Sequence, residues 1–509
     1  VASHYQCKAN KRRYNQEDRA IIALDATNNR EIRVFKTSII KNEMDGYYED
    51  ENVRERLIEY AGGFNDSGPT CAYFSQCDGD FHSEEAIRHS SDLDWFLEEG
   101  KEVARSICDS ESLLVHLDVE YVNFDSPIRV FTDPGRAFEI QQPVIDVIEE
   151  VLLKWGITPL HLVTGQGHHF VWSVPRHSAP ERTLARLAPA QDWMKKAYRR
   201  TTCRIETANC TSWLRPFTGL GMVMEYFANE VKKIASERTP VTVDTTAVIS
   251  GPRALGKARE IISLDISEYG DPIHTRMIRM PFSRYMKQQR TWISSLFDRQ
   301  HRHSDMFVLP LHEMGIREAI AIRQNEKAVR DLAKRASVRI PDESRGMNRL
   351  LSEYLASPLR KFHEKYYQEK QHPEERWSDT YALADLSSLP SCVRWIIENP
   401  NDSLLKPAGI QMVVRSLLAE GWHPRHIAGF ITFRFHDPIA NWGDAWIHYD
   451  PGVRAEFYTR LFAGQVATGI DKLIDYNCIS SKEKDLCRSS GENCSLASLC
   501  EKLNSNRTE

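Results

Sequence analysis

The hydrophobic and polar positions of this chain change character along its length. Between residues 111 and 300, short apolar runs alternate with stretches of helical period. "LLVHLDVEYV" (113–122) and the two apolar runs in "LHLVTGQGHHFVWSVP" (160–175) predict strands: each is short, rich in branched and aromatic residues, and bounded by turn formers. "PVIDVIEEVLLKWG" (143–156) repeats its apolar residues at helical spacing and predicts a helix ending at Gly156. "VTVDTTAV" (241–248) and "IISLD" (261–265) add two more short strands. Strands interleaved with helices predict an α/β (α+β) sheet domain within residues 1–300. Its first 110 residues mix charged helical stretches with the turn-rich "GGFNDSGPTCAYFSQCDGDFH". Residues 301–385 are charged and helix-prone, as in "REAIAIRQNEKAVRDLAKRASV", and predict a helical connecting region. From 386 to 509, patterns such as "KPAGIQMVVRSLLAEG" predict a mainly helical domain, and no internal repeat is visible.

One strand carries an unusual pair. Asp118 and Glu120 stand two residues apart in an apolar run, so a strand points both to one face, where their charges repel. Either that face is open to water or something positive compensates, a divalent ion being the chief candidate. Two other pieces bear on the choice. Thr164-Gly165-Gln166-Gly167 links two strands and is followed by His168 and His169; glycines in a tight turn let backbone N–H groups approach an anion, and a histidine can donate to phosphate. Asp265 ends an apolar run and is followed by Arg276 and Arg279, with Arg284, Lys287 and Arg290 beyond. Three carboxylates can hold two divalent ions, which clamp a nucleoside triphosphate and activate a 3′-hydroxyl, while a histidine and arginines hold the phosphates. Asp244 competes with Asp265 for the third place; Asp265 is preferred because the arginines follow it closely.

Composition narrows the field. The chain has 509 residues, a net charge of −5 and 41% hydrophobic residues, ordinary values for a water-facing globular protein. No apolar run approaches the ~20 residues that cross a bilayer, and "VASHYQCKANKRRYNQ" lacks the apolar heart of a signal peptide. A cytoplasmic protein without a membrane partner is expected. With no global basic field, a nucleic acid would need a local basic groove. The 11 cysteines are uneven: Cys478, Cys487, Cys494 and Cys500 crowd the tail, with Cys392 alone upstream. In a reducing compartment such a cluster points to metal ligation, by Zn²⁺ or an iron–sulfur cluster. Partial zinc sets, Cys71 and Cys77 with His82, or Cys203 with Cys210, are present but incomplete on local spacing. "GPRALGKA" (251–258) follows the P-loop pattern until Ala258, where the magnesium-binding hydroxyl belongs.

Taken together, "HLDVE", "TGQGHHFVW" and "LDISEYGDPIHTRMIRMPFS" resemble the three motifs of the archaeo-eukaryotic primase superfamily, the primase small-subunit or primase-polymerase core. The resemblance covers roughly residues 111–290. It implies Asp118, Glu120 and Asp265 as ligands of two Mg²⁺ or Mn²⁺ ions and as catalytic residues. Thr164, Gly165, Gln166, His169, Arg276 and Arg279 would bind the nucleotide. Gln166 departs from the family pattern, where a basic residue is common, and Tyr285 stands where many members carry histidine. The tail resembles the C-terminal iron–sulfur domain of primase large subunits: Pro390-Ser391-Cys392 stands for its Pro-Pro-Cys, and Tyr476 shortly precedes Cys478. That implies a [4Fe–4S] cluster on Cys392, Cys478, Cys487 and Cys494, with Cys500 able to replace Cys494. Arg425, His426, Arg434 and Arg454, interleaved with aromatics, are candidates for template and initiating nucleotide. The function so implied is a DNA primase or primase-polymerase, a DNA-directed nucleotidyltransferase acting on single-stranded DNA and nucleoside triphosphates, with a helicase or replicative polymerase as protein partner. Alternatives are a related polymerase that extends or repairs ends without priming, a non-catalytic nucleic-acid-binding subunit, and a phosphoesterase using Asp118, Glu120 and His169.

Overall fold

The apolar run around Asp118 forms the longest strand among the described residues, β4 (Ser112–Asn123), in a six-stranded sheet. The computed structural model describes residues 46–63, 68–77, 87–98, 100, 102–187, 211–246, 259–270, 277–297, 305–400, 407–436, 451–488, 494 and 496–505. Tyr47–Glu509 form one compact unit and Val1–Gly46 another. The architecture is α+β, with two sheets.

Strands β5 (Leu160–Val163), β6 (Gly167–Pro175), β7 (Thr242–Asp244), β8 (Glu260–Asp265) and β10 (Leu309–Pro310) complete the large sheet, in the order β10-β5-β6-β4-β8-β7. β4 runs antiparallel to both neighbours. One face of β4 carries Val115, Leu117 and Val119, paired across to Trp172, Phe170 and His168 of β6. Two long helices cover it: Phe138 of the Pro134–Trp155 helix meets His168, and Phe227 of the Thr211–Arg238 helix meets Trp172 and Trp155. Burying those rings and branched chains is the main force holding the strand, worth roughly 1.5–3 kcal/mol for each large side chain.

The Pro134–Trp155 helix ends at Gly156 as the sequence predicts; that residue has φ 61°, which only glycine adopts without strain. The helix starts further upstream than predicted. Asp133 caps it by accepting from the Arg136 N–H, Pro134 occupies the first turn, and Pro143 lies inside. Proline costs the interior one backbone bond there, and the buried face carries the helix through it.

A second sheet, absent from the sequence reading, contains β1 (Tyr73–Cys77), β2 (Ile87–His89), β3 (Glu102–Ser106) and β9 (Met277–Arg279), in the order β2-β1-β3-β9. Its strands are too short to show alternation. Residues 301–385 do more than connect. Leu309–Pro310 pairs with β5 at the sheet edge, and the buried Arg323 donates to the carbonyls of Thr164 and Gly165 at 2.7 and 3.3 Å.

The C-terminal helices, among them Ser391–Glu398, Pro407–Ala419, Pro424–Phe435 and Pro451–Ala467, are joined to the rest by buried charge. Glu225, on the Thr211–Arg238 helix, accepts from Arg460 Nε at 2.9 Å and contacts His363 Nε2 at 3.0 Å. Arg259, beside β8, holds Glu483 and Ser480 at 2.6 and 3.1 Å. Among the described residues no helix is long and apolar enough to cross a membrane.

Candidate functional site

Strand register assembles the front face of the large sheet. Asp118 lies directly opposite His169 on β6 and Asp265 on β8, and Glu120 opposite Gly167 and Ser263. Directly paired residues share a face with Cβ atoms about 5 Å apart, so one row carries His169, Asp118 and Asp265. β8 ends at Asp265, whose Oδ1 accepts from the Ser267 N–H at 2.8 Å. Beyond that end, the Tyr269 hydroxyl replaces the missing strand by bonding the backbone N–H and C=O of His116 at 3.0 and 2.8 Å. Asp244 sits on the edge strand β7, in register with Ser263 rather than with the aspartate row, and faces Lys232 at 3.8 Å.

The face is charged in a definite way. His116 Nδ1 pairs with the buried Glu268 at 2.7 Å, and the His116 ring meets His169 edge-on at 4.7 Å. Burial pulls the His116 pKa down, but Glu268 outweighs it and the net shift is upward. Burial likewise raises the Asp118 pKa, and His169, His116 and Arg279 more than reverse it, holding the carboxyl well below its usual range. His169 Nε2 stands 3.4 Å from Asp118 Oδ1; burial pulls its pKa down and Asp118 pulls it up, with the net shift downward. Lys287 Nζ holds both Glu120 oxygens, at 2.9 and 3.1 Å.

The glycine turn is built differently from an anion cradle. The Thr164 hydroxyl accepts from the N–H groups of Gln166 and Gly167 at 3.4 and 3.1 Å, so those donors are taken up within the turn. The glycines are needed for packing: a Cβ on Gly165 would lie 2.1 Å from the Tyr285 ring, and one on Gly167 would lie 1.8 Å from the Val119 carbonyl oxygen. The two departures from the superfamily pattern meet each other, the Tyr285 hydroxyl donating to Gln166 Oε1 at 3.3 Å. Tyr285 also lies 5.0 Å beneath the Arg279 guanidinium. Arg279 Nε donates to Glu102 at 2.6 Å. Sequence reasoning passed over Glu102, His116, Glu268, Lys287 as a Glu120 partner, and Arg323. The His116–Asp118–Glu120 alternation could have flagged the first histidine; the others come from distant segments with no local signal. Arg276, the 251–258 loop, His82, Cys203 and Cys210 lie outside the described residues.

In the tail, Cys392 opens the Ser391–Glu398 helix and Cys478 opens the Cys478–Glu483 helix. Cys478 and Cys494 bring their sulfurs to 3.7 Å. The Cys392 thiol is pushed up to about 11 by burial and then by Cys494 and Cys487; Cys478 is raised by burial and then by Cys494 and Cys487. Cys500, on the Leu496–Ser505 helix, meets Asn504 at 3.9 Å. Cys71 is a buried core residue whose thiol is likewise raised to about 11, first by burial.

Of the template candidates, Arg425 faces inward: it is 2% exposed and its guanidinium is spent on Glu456 at 2.5 Å. Arg434 Nε donates to the Ile397 carbonyl at 3.1 Å, and Arg454 is half-buried. His426 lines a cavity of about 320 Å³ with His372, Tyr381, Trp422 and His423.

As the side chains stand, no group of three His, Cys, Asp or Glu among the described residues surrounds a point where one ion would sit. The donors fit the implied groups in kind. Asp118 Oδ1 is buried without a hydrogen-bond donor, as an oxygen meant for a hard cation would be. The Cys392 and Cys478 thiols, both raised by burial and by neighbouring thiols, lack the positive charge that a metal supplies. No known protein family, curated protein or solved structure matches this chain.

Proposed function

We propose that this protein is a template-dependent DNA primase or primase-polymerase of the archaeo-eukaryotic type, with the β4 front face as its nucleotidyl-transfer centre. One observation carries the reading: the register that sets Asp118 opposite both His169 and Asp265, so that three segments distant in sequence meet in one row. Asp118, Glu120 and Asp265 would hold the two divalent ions, whose chemistry when bound is to activate the 3′-hydroxyl and neutralise charge on the departing pyrophosphate. The chain's own part is positioning. His169 offers a ring N–H beside Asp118. Arg279, aimed by Glu102 and stacked on Tyr285, offers a planar donor for the triphosphate. His169, and after it His116 and Arg279, favour the ionised form of Asp118. Phosphate contacts then fall to His169 and Arg279 more than to the Thr164–Gln166 turn, where the Gln166 and Gly167 N–H groups already bond the Thr164 hydroxyl.

The tail cysteines Cys392, Cys478, Cys487 and Cys494 would hold a [4Fe–4S] cluster, Cys494 being favoured over Cys500 by its approach to Cys478. Single-stranded DNA and nucleoside triphosphates are the partners so implied, with His426, Arg434 and Arg454 as candidates for template contact. The test is incubation with unprimed single-stranded DNA, labelled triphosphates and Mg²⁺ or Mn²⁺. Template-dependent products are expected from the wild type and not from Asp118→Asn. Undiminished synthesis by that variant, or hydrolysis of triphosphates without template, would sink the reading.

A further inference from the structure

Lys287 grips Glu120 at both oxygens, at 2.9 and 3.1 Å, with the two side chains only 18% and 15% exposed. The grip is built. Glu102, 1% exposed, accepts from Arg279 Nε with one oxygen at 2.6 Å and from the Met286 N–H with the other at 2.8 Å. The Tyr285 N–H is bonded to the Met306 carbonyl at 2.7 Å. The backbone is therefore anchored at the two residues before Lys287, and the same buried carboxylate aims both Arg279 and Lys287 at the front face. The repulsion between Asp118 and Glu120 is in this way relieved from within: Lys287 sits on Glu120, and His169 Nε2 faces Asp118 Oδ1 at 3.4 Å. An ammonium seated on both carboxylate oxygens competes for the lone pairs a divalent ion would use.

We infer that Lys287 is an internal counter-ion for Glu120, occupying the carboxylate in the metal-free protein and displaced when a divalent ion binds. Glu102 is the positioning residue that makes this possible. The inference rests on the two-ion reading of the front face, and it says that the protein weakens its own metal affinity in exchange for a face that is stable without metal.

The experiment is Mn²⁺ binding to the full chain without nucleotide or DNA, read from the electron paramagnetic resonance signal of free Mn²⁺, with Asp118→Asn defining the fraction bound at the front face. Lys287→Met keeps the stem and removes the charge; it is expected to tighten Asp118-dependent Mn²⁺ binding about tenfold, the scale of a lost competing ion pair. A folding defect would weaken binding, so the sign separates the two causes. Lys287→Arg is expected to bind like the wild type. If Lys287→Met binds no more tightly while Asp118-dependent binding persists, the counter-ion role is overturned and the metal face stands. If no Asp118-dependent Mn²⁺ is found in either protein, both are overturned.

Discussion

The front face of the sheet and the cysteine tail are both crowded with groups of one kind, and they deal with crowding in opposite ways. Around Asp118 and Glu120 the chain supplies its own compensation, with His116, His169, Arg279 and Lys287 each drawn from a different segment or neighbouring strand position. At Cys478 the effects pushing the thiol upward are burial and then Cys494 and Cys487, with Lys482 alone working the other way. A compensated face can fold first and take up metal later. A thiol cluster without such compensation would gain its missing charge from a metal, and under the proposed cluster assignment metal uptake there would be part of folding.

The largest expected effect breaks the front face. Asp118→Asn or Glu120→Gln should lower nucleotide addition on the order of 10³-fold, the scale of losing a charge-stabilising group, with single-stranded DNA binding largely kept. Asp265→Asn should match them, whereas Asp244→Asn, on the edge strand with Lys232, should stay within about threefold of wild type. Primer-extension rates measured side by side decide it, and a reversal of the last two would move the third ligand to β7.

Next comes the tail. Protein purified without oxygen should be brown with about four irons per chain. Cys392→Ser should lose the colour and cut initiation roughly tenfold while sparing extension, because the front face does not depend on that metal. A colourless chain holding one zinc would replace the cluster assignment.

The smallest effect sharpens the contrast through pH. The Cys392 thiol lies at about 11 in the folded chain, against about 8.5 in an unfolded one. An acid whose folded pKa is the higher of the two contributes stability fully below the unfolded value and loses it as pH rises through the folded one. Chelated protein should therefore lose stability between about pH 8.5 and 11, and metal-loaded protein should not, as urea midpoints across that window would record. Equal slopes for the two forms would mean the thiols do not titrate as a metal site.

Much of this was legible in the sequence where one segment sufficed. The β4 pattern, the Gly156 stop and the strand end at Asp265 follow from local periodicity and punctuation. What escaped depends on contacts between distant segments. Gly165 and Gly167 read as an anion turn, yet they are glycine because the Tyr285 ring and the Val119 carbonyl press on them. Arg425 read as a candidate template contact, because nothing nearby announces Glu456 as its partner. The small sheet was invisible because strands of three to five residues such as β1, β2 and β9 carry too little alternation to register.

The cysteine ligands also have an order in time. Cys392 leaves the ribosome well before Cys478, with the Pro407–Ala419, Pro424–Phe435 and Pro451–Ala467 helices still to be made. At roughly 5–20 residues per second, that first thiol waits on the order of 4–17 s for its partners, while every strand of both sheets is already synthesised. The nascent chain thus carries the strands of both sheets before the proposed ligands that follow Cys392 are made.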